Sequence, residues 1–418
     1  MKILVCPTSL NLGGALNAVE LAAAVRDRGH EVTVLARTGP LLADVRQACL
    51  DYVPLDPGPR RPSAQSAAQL TRLVGSRGID VVHSYEWPVT VEACAGPRLR
   101  LRCPTVCTVY SALVAPFIPG SLPLIVGARE TAARARAAGH PWVTLIEPPV
   151  DTQANTPGCD PGPLRRELGL GPGPLLVIVC RLSREGKLEG LQAACDAVGS
   201  LAAGGRDVQL AIVGDGPARP EVEAAAAAAN ARAGRPVAVL AGQRADPRPA
   251  YAAADIVLGM GGSALRGMAF GKPLIVQGER GYWRLLTPGS APQFLHQGWY
   301  GLGRDADGRA AGAVRLEKIL LDLLDDPAQQ QELGSYGRTL VTSRFSLRQA
   351  AATAERCYTS ALACQPRPGR LAADAAAAWA GATAHQARRK WRRWRGLPVP
   401  TDDFNAIAAS PRIWGGTP

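Results

Sequence analysis

Short apolar runs alternate with alanine-rich helical stretches along most of this chain. The first series has apolar runs at 3–6, 31–36 and 81–83, with helical stretches between them. Strands that are apolar throughout and separated by helices indicate a parallel sheet covered by helices on both faces. The same alternation begins again at 175–180 and continues to 274–277. The chain is therefore predicted to form two doubly wound α/β domains.

A stretch rich in proline and glycine separates the two series, between Glu147 and Pro163. Its composition and its lack of apolar periodicity are typical of a linker between domains. We predict an N-terminal Rossmann-like domain over 1–155 and a C-terminal Rossmann-like domain over 165–345. If the chain is an enzyme of this architecture, the first domain binds the acceptor and the second binds the donor. A closing helix is predicted over 346–364, and a basic tail over 370–418 forms a separate module.

Composition narrows the class of protein. Hydrophobic residues make up 47% and charged residues 20% of the 418 residues, values typical of a folded globular protein. The ten cysteines lack zinc-finger spacing, so we expect reduced thiols and no metal site. No apolar leader and no run of about 18 apolar residues is found, so we expect a cytoplasmic protein. Much of the net charge of +12 lies in Arg388–Arg395.

A glycine-rich loop opens a short helix near the end of the second series. The loop and the first helical turn contain Gly261, Gly262, Ser263 and Ala264. Glycines let a ligand approach the backbone closely, and the free N–H groups at a helix N-terminus carry a partial positive charge. The pattern predicts a cradle for a diphosphate. It is equally typical of a loop in which Ser263 only caps the helix and the glycines only turn the chain.

Further motifs follow one another in a characteristic order. They are the Gly13-Gly14 turn, Asp80-Val81-Val82-His83-Ser84, Val150-Asp151-Thr152, Arg181 with Lys187, Val213-Gly214-Asp215-Gly216-Pro217 and Met268-Ala269-Phe270-Gly271-Lys272-Pro273. In this order and spacing, over most of residues 1–362, the chain resembles the retaining glycosyltransferases of family 4. The resemblance implies the GT-B fold, two facing Rossmann-like doubly wound domains, here with a C-terminal helical tail. It also implies a nucleoside-diphosphate sugar as the donor.

The resemblance assigns residues to the donor diphosphate and to the nucleotide. Arg181 and Lys187 occupy the positions that hold the diphosphate in the family, where two cations can neutralise the leaving group. Gly13 and Gly14 would admit the donor from the other domain, and Gln243 stands where the family lines the nucleotide base. No cofactor is implied beyond the nucleotide sugar as co-substrate. A surface ion-pair role for Arg181 and Lys187 is the alternative.

Two glutamates that the family usually carries are missing, since Leu258 and Arg266 occupy their positions. Arg266 can donate hydrogen bonds to a phosphate or a ribose, or form an ion pair on its helix, but a guanidinium does not lose its proton and cannot act as a base. Glu279 lies in a loop expected to border the same site. It either replaces the missing sugar-binding carboxylate or pairs with Arg280 in solvent.

The histidine that many family members carry near the reaction centre is replaced by Tyr110. A tyrosine can donate a hydrogen bond, but its pKa of about 10 makes it a poor base at neutral pH. Glu86, at the end of the strand that contains His83, is the candidate carboxylate of the acceptor site. The alternative is that Glu86 caps the helix that begins near Pro88. We expect His83 to be packed at the end of the strand.

The tail has the pattern of a basic amphipathic helix from Leu371 to Arg395. Steps of three and four residues align an apolar stripe that consists of Ala373, Ala377, Ala380, Ala384, Ala387, Trp391 and Trp394. Such a helix fits an anionic membrane surface, here the inner membrane face, and it also fits docking on the body of the protein. We expect no nucleic-acid partner, because no recognition fold accompanies the charge.

Taken together, the motifs predict a hexosyltransferase that moves a sugar from a nucleoside diphosphate to a hydroxyl acceptor, with retention and without a metal. Retaining transfer needs little from a side-chain base, because the leaving phosphate oxygen can accept the proton of the acceptor. The missing glutamates favour an alternative, a catalytically silent GT-B protein that binds a nucleotide, a glycan or a partner enzyme. A nucleotide-sugar epimerase on the same fold is a third hypothesis.

Overall fold

The computed structural model describes residues 1–11, 14–56, 58, 60–304, 308–364, 366–399 and 404. The chain divides into two compact units. The first comprises Met1–Pro149 and the described residues from Leu347 onward, and the second comprises Val150–Ser346. The second unit starts at Val150 rather than beyond 155, because the N–H of Val150 donates to the carbonyl of Phe345 at 2.9 Å and its side chain lies in the core of that unit.

In the described residues, each unit contains one sheet. The strands of the first are β1 Lys2–Cys6, β2 Glu31–Ala36, β3 Asp51–Pro54, β4 Val81–Tyr85, β5 Thr105–Val109, β6 Leu124–Val126 and β7 Val143–Leu145, all parallel, in the order β3-β2-β1-β4-β5-β6-β7. The strands of the second are β8 Leu175–Val179, β9 Gln209–Val213, β10 Ala238–Gly242, β11 Ile256–Gly259, β12 Leu274–Gln277 and β13 Trp283–Leu285, in the order β10-β9-β8-β11-β12-β13. Only β13 runs antiparallel among these six. The predicted class of two Rossmann-like α/β domains is confirmed.

Helices connect the strands and extend the chain at its C-terminal end. They are α1 Gly14–Arg26, α2 Leu42–Gln47, α3 Ala64–Arg77, α4 Glu86–Ala93, α5 Arg129–Ala137, α6 Leu164–Glu167, α7 Leu188–Ala203, α8 Arg219–Ala233, α9 Arg248–Ala253, α10 Gly262–Ala269, α11 Ala291–Gln297, α12 Gly308–Leu324, α13 Pro327–Arg344, α14 Leu347–Ala363 and α15 Pro368–Trp394. A π-helical turn, Cys94–Arg98, follows α4 directly. The helix α14 lies within the range predicted for a closing helix and belongs to the first unit.

Helices cover both faces of the first sheet. Residues that alternate along a strand point to opposite faces, so Val5 and Val81 pack with α1 and α14 on one side. Leu4 and Val82 pack on the other side, against Leu70 of α3 and residues of α4. Because both faces of these strands are apolar, the sheet is stable only when both are covered, which is the physical reason for the doubly wound arrangement.

The second sheet is covered in the same way. Leu176 and Ile178 of β8 pack with α7, α8 and α12 on one face. Leu175 and Val177 pack with α9, α10 and α13 on the other face. The four side chains are fully buried, which agrees with the continuous apolar run in the sequence.

Strand order determines where each sheet can bind a ligand. In the first sheet the order reverses between β1 and β4, and in the second sheet it reverses between β8 and β11. In open parallel sheets, ligands bind beyond the carboxyl ends of the strands at such a reversal. The loops that follow β1 and β4, and those that follow β8 and β11, are therefore the candidate binding loops of their units.

The apolar stripe predicted for the tail helix is not the face that packs on the protein. All seven of its residues, Ala373, Ala377, Ala380, Ala384, Ala387, Trp391 and Trp394, are exposed. The face that α15 packs on the first unit instead consists of Leu371, Asp374, Ala375, Ala378, Ala382 and His385. Ala378 and Ala382 contact Val91 of α4, so docking on the body of the protein decides which face is buried. Among the helices of the described residues, none is long and apolar enough to cross a membrane.

Candidate active site

The loop after β8 carries Arg181 and Lys187. Arg181 is exposed and makes no side-chain hydrogen bond or ion pair within the described residues. The glycines of the neighbouring turn hold this loop in place, since a Cβ on Gly214 would lie 1.8 Å from the carbonyl oxygen of Cys180, and one on Gly216 would lie 2.4 Å from that of Leu182. Their φ angles of +140° and +156° also favour glycine. The Gly-Asp-Gly turn is thus a support for the arginine loop.

Lys187 and Glu279 are half-buried residues of opposite charge that influence each other electrostatically. Burial lowers the pKa of Lys187, while the nearby Cys180 and Glu279 act in the opposite direction. The Oε1 of Glu279 accepts a hydrogen bond from the N–H of Gly186 at 3.1 Å. Burial raises the pKa of Glu279, and the Gly186 N–H opposes that shift. The carboxylate of Glu279 is thus held by the loop that precedes α7, within electrostatic range of Lys187.

The N-terminus of α10 presents the predicted amide groups. Gly261 has φ of +58° and precedes the helix, and the hydroxyl of Ser263 bonds to the backbone of Met260 instead of capping the helix. The N–H groups of Gly262, Ser263 and Ala264 make no hydrogen bond within the described part of the chain. Of the two alternatives for Ser263, helix capping is therefore wrong. Three donors remain available at the positive end of the helix dipole.

Arg266 adds positive charge to the same helix end. Its side chain is buried, and its Nη1 reaches back to within 3.1 Å of the position that a Cβ on Gly262 would take. Gln243 lies exposed after β10, next to Gly242, whose carbonyl accepts the N–H of Gly214 at 2.8 Å. Both residues lie at the carboxyl edge of the second sheet, as predicted from their place in the sequence.

Strand pairing brings the three loops to one edge. The strand β11 lies between β8 and β12, with Leu258 opposite Ile178 on one side and Ile275 on the other. The loops that carry Arg181 and Lys187, the α10 N-terminus and Glu279 therefore follow three adjacent parallel strands. Such an edge, with two cations and free amides, suits a ligand that carries two phosphates.

Glu86 holds a loop of the first unit. Its backbone has φ of +61°, an uncommon value for a residue with a side chain. One carboxylate oxygen accepts the N–H groups of Tyr110 and Ser111 at 2.9 and 3.1 Å, and the other accepts the Ser111 hydroxyl at 2.9 Å. Glu86 is also the acidic residue in the first turn of α4, where its charge favours the helix dipole, as the alternative hypothesis predicted. The carboxylate fixes the loop after β5.

The Tyr110 hydroxyl and the His83 side chain are buried beside this loop. The Tyr110 hydroxyl is buried and forms no hydrogen bond within the described residues, and burial, together with the carboxylates of Glu86 and Glu20, raises its pKa. His83 is fully buried, with its ring nitrogens 2.7 Å from the hydroxyls of Tyr358 and Thr108. Tyr110 therefore keeps its proton at neutral pH, and His83 is a core residue, as expected.

The glycines proposed for the loop after β1 lie at the edge of what the structure describes. Gly13 falls outside the described residues. Gly14 is the first residue of α1, and among the described residues, its chain neighbours aside, no atom lies within 4 Å of where a Cβ would be. The open space at Gly14 is compatible with close approach of a ligand to the start of α1.

Solved structures of similar fold come from several organisms. Anabaena HepE in complex with UDP and glucose is 19% identical, with 86% of this chain and 100% of HepE covered and a TM-score of 0.67. WaaG, a glycosyltransferase involved in lipopolysaccharide biosynthesis, is 15% identical, with 85% and 98% covered and a TM-score of 0.60. A glycosyltransferase from Rickettsia africae is 14% identical, with 86% and 98% covered and a TM-score of 0.61. At these identities the likeness concerns the fold.

Sequence profiles match both halves of the chain. The profile of Glycosyltransferase Family 4 matches residues 13–154, and that of Glycosyl transferases group 1 matches residues 173–306. The chain belongs to the family 4-like glycosyltransferases of the GT-B fold. A search of curated protein sequences finds no match.

This glycosyltransferase differs from its family at the two usual glutamate positions. Leu258 is fully buried within β11, and Arg266 lies on the inner side of α10. Neither residue offers a carboxylate oxygen. Glu279 and Glu189 are two carboxylates of the second unit near the same edge, and the Oε1 of Glu189 accepts the N–H of Gly281 at 2.7 Å.

Sequence reasoning missed three supporting residues of this glycosyltransferase. The Nε2 of Gln277 donates to the carbonyl of Lys187 at 3.1 Å, and Glu189 fixes the loop after Glu279 from the first turn of α7. In the first unit, Ser111 shares the carboxylate of Glu86 with Tyr110. The available signal was position alone, since each residue borders a loop that follows a strand.

Proposed function

We propose that this glycosyltransferase moves a hexose from a nucleoside-diphosphate sugar to a hydroxyl acceptor, with retention at the anomeric carbon. The proposal rests on the edge of the second sheet. There Arg181 and Lys187 precede α7, and the adjacent α10 offers unbonded amides at Gly262–Ala264. Cations and amides of this kind stabilise a leaving diphosphate as its charge develops. The HepE structures with UDP and with UDP-glucose support a uridine nucleotide as the first candidate donor.

The proposed step breaks the bond between the anomeric carbon and the β-phosphate oxygen and forms a bond from the same face to the acceptor oxygen. The acceptor proton moves to the leaving phosphate oxygen. No side-chain base is needed, which fits a chain whose Tyr110 retains its proton and whose Arg266 cannot lose one. The nucleotide sugar is the only co-substrate that the proposal requires, with no added cofactor or metal.

We assign the donor-sugar contact to Glu279. One oxygen of its carboxylate accepts the Gly186 N–H within electrostatic range of Lys187, and we assign the other oxygen to sugar hydroxyls. Arg280 and Lys187 both act electrostatically on this carboxylate, and the bond to Gly186 holds it against the loop before α7. Glu279 would then replace the carboxylate that Leu258 has removed from β11. Gln243 and Arg266 are proposed contacts of the base and of the ribose or phosphate.

On the first unit we propose Glu86 and Tyr110 for the acceptor side, and Gly13 with Gly14 for the donor approach. The positive φ of Glu86 supports this role, because strained backbone at a strand end is frequent in binding sites. The hydrogen bonds that Glu86 accepts from Tyr110 and Ser111 hold its carboxylate in one orientation. Acceptor binding would require one of them to be shared with an incoming hydroxyl.

We place the reaction in the cytoplasm. All ten cysteines are free thiols, and Cys6, Cys107 and Cys195 are fully buried. Burial raises the pKa of the Cys107 and Cys195 thiols to about 12, so they stay protonated and unreactive. Thiol-rich chains without disulfides are typical of reducing compartments.

A catalytically silent GT-B protein is the second candidate. The burial of Leu258 and the inward position of Arg266 favour it, because both usual carboxylates are absent. In that case the edge of the second sheet would bind a nucleotide without turnover.

Release of nucleoside diphosphate from a panel of UDP, ADP, GDP and dTDP sugars distinguishes the two candidates. The parent chain is expected to hydrolyse at least one donor slowly without added acceptor, with water as the nucleophile. Lys187→Ala should lower kcat/KM for that donor by about 100-fold or more, the usual effect of removing one group that stabilises the leaving charge. Analysis of the released sugar also tests the epimerase hypothesis, which predicts an altered sugar still attached to the nucleotide.

Lys318→Ala is the matched control, because Lys318 is an exposed lysine of α12 away from the proposed site. It should leave donor turnover and melting temperature unchanged. Nucleotide binding without turnover by the parent chain would decide for the silent protein. Equal turnover by Lys187→Ala and the parent would exclude the proposed diphosphate site.

A further inference from the structure

The last turns of α15 form an exposed surface that the proposed chemistry does not use. We define the basic tryptophan end as residues 388–397. It contains six cations, Arg388, Arg389, Lys390, Arg392, Arg393 and Arg395, and the sequence has no acidic residue between 375 and 401. Trp391 is 51% exposed, Trp394 is 79% exposed and Leu397 is 44% exposed. Large apolar side chains and concentrated charge thus occur together on one helix end.

The start of the same helix is fixed to the first unit. Asp374 is 7% exposed and accepts from Arg98, which is 4% exposed, at 3.3 Å, and from Arg370 at 3.0 Å. Ser121 bonds to the same carboxylate and accepts from Arg98 at 2.8 Å. A buried ion pair with these additional bonds gives the helix a defined position. The basic tryptophan end therefore continues a helix whose first part is fixed to the first unit.

Helical geometry groups the tryptophans. Trp391 and Trp394 lie one turn apart on the same face of α15. The guanidinium of Arg395 lies 5.3 Å from the centre of the Trp391 ring and 5.9 Å from that of Trp394. An arginine over a tryptophan keeps its charge available while the indole keeps its apolar edge exposed. The result is a surface in which indoles lie among cations.

We propose that the basic tryptophan end binds an anionic phospholipid surface. Indole rings prefer the region between head groups and acyl chains, and lysines and arginines pair with lipid phosphates. The positive charge is complementary to such a surface. The two exposed tryptophans favour a lipid surface over other polyanions, a preference that charge alone would not give. The face buried by docking is separate, so binding needs no rearrangement of α15.

Sedimentation of the full chain with vesicles tests the proposal. Vesicles of phosphatidylcholine with phosphatidylglycerol should bind the protein, and vesicles of phosphatidylcholine alone should bind it far more weakly. Binding should weaken strongly at about 1 M salt, where charges are screened beyond about 3 Å. Lys390→Gln with Arg393→Gln should lower the affinity by about 25-fold, since each cation near the surface contributes about fivefold.

Two control variants match these changes. Arg348→Gln with Arg356→Gln removes two exposed arginines of α14 and should leave vesicle binding within about twofold, because these residues lie outside the tail helix. Trp391→Ser with Trp394→Ser should lower the affinity by about tenfold or more. Trp142→Ser changes a tryptophan of the same unit that is 46% exposed, and it should not lower the affinity for vesicles.

Several outcomes would overturn the proposal. They are absence of binding to anionic vesicles, equal loss in the control variants, or binding unaffected by the tryptophan changes. Binding to a homopolymeric RNA in the absence of vesicle binding would assign the surface to nucleic acid. Donor turnover, measured on the same variants, should equal that of the parent, so failure of the vesicle experiment is distinguishable from failure of the proposed transferase function.

Discussion

Replacement of His83 by glutamine should remove a defined part of the acid sensitivity of this protein. His83 is completely buried in β4, between the hydroxyls of Tyr358 and Thr108 and beside the ring of Tyr85, whose centroid lies 4.5 Å away. The facing groups are thus uncharged hydroxyls. Burial lowers the pKa of His83 to about 3, because the charged imidazolium would lose its hydration.

The sign of the effect follows from the two pKa values. In the unfolded chain His83 titrates at about 6.5, and in the folded chain at about 3. Between these values only the unfolded chain binds the proton, so the stability contributed by neutral His83 is complete above pH 6.5 and is lost as the pH falls towards 3. The full contribution is about 5 kcal/mol, and about 2.5 kcal/mol of it is lost between pH 7.5 and pH 4.5.

Urea unfolding of the parent and of His83→Gln at these two pH values measures the difference. The variant should be less stable at pH 7.5 by about 1–3 kcal/mol, since its contacts with Tyr358 and Thr108 are altered. Its free energy of unfolding should then fall by about 2.5 kcal/mol less than that of the parent on going to pH 4.5.

NMR of protein labelled at its histidine rings provides the direct readout. The signal that disappears in His83→Gln should not titrate above pH 4.5. A midpoint above pH 5.5 for that signal, or an equal fall in stability for parent and variant, would refute the reasoning.

Two further substitutions test the ion pairs of the two units. Asp374→Ala should lower the free energy of unfolding by about 3–5 kcal/mol, because Arg98 is left buried without its carboxylate. Asp325→Ala, which breaks an exposed pair with Arg206, should cost no more than about 1 kcal/mol, and equal losses in urea unfolding would contradict the role of burial. Glu279→Gln should weaken binding of the nucleotide sugar that the parent uses by roughly tenfold or more, while binding of its nucleoside diphosphate stays nearly unchanged. Calorimetry measures both affinities, with the exposed Glu332→Gln as control, and an equal effect on both ligands would place Glu279 away from the sugar.

The sequence was sufficient to predict the two sheets. Apolar runs such as 3–6 and 175–180 can only be buried on both faces, and the helical stretches between them provide the cover. The position of Gly261–Ala264 after an apolar run was also enough to place free amides at a strand end, because the start of any helix leaves such groups unbonded.

The partners of individual side chains were not predictable in the same way. Glu86 bonds to Tyr110 and Ser111, and Glu279 bonds to Gly186, across long separations in the chain. Such pairs depend on which strands become neighbours in the sheet. The pairing of β4 with β5, and of β8 and β12 with β11, brings their loops together, and no local pattern encodes that order.

The tail helix shows most clearly which features follow from the sequence and which depend on tertiary packing. Its helical character follows from the sequence, since alanines and arginines are strong helix formers. Its buried face does not, because an alanine-rich helix offers several stripes of similar polarity. Contact with Val91 and the buried pair of Arg98 with Asp374 selected one of them. The sequence alone therefore determined the secondary structure and the sheets, whereas tertiary packing decided which polar groups meet and which apolar surface, including Trp394, remains in water.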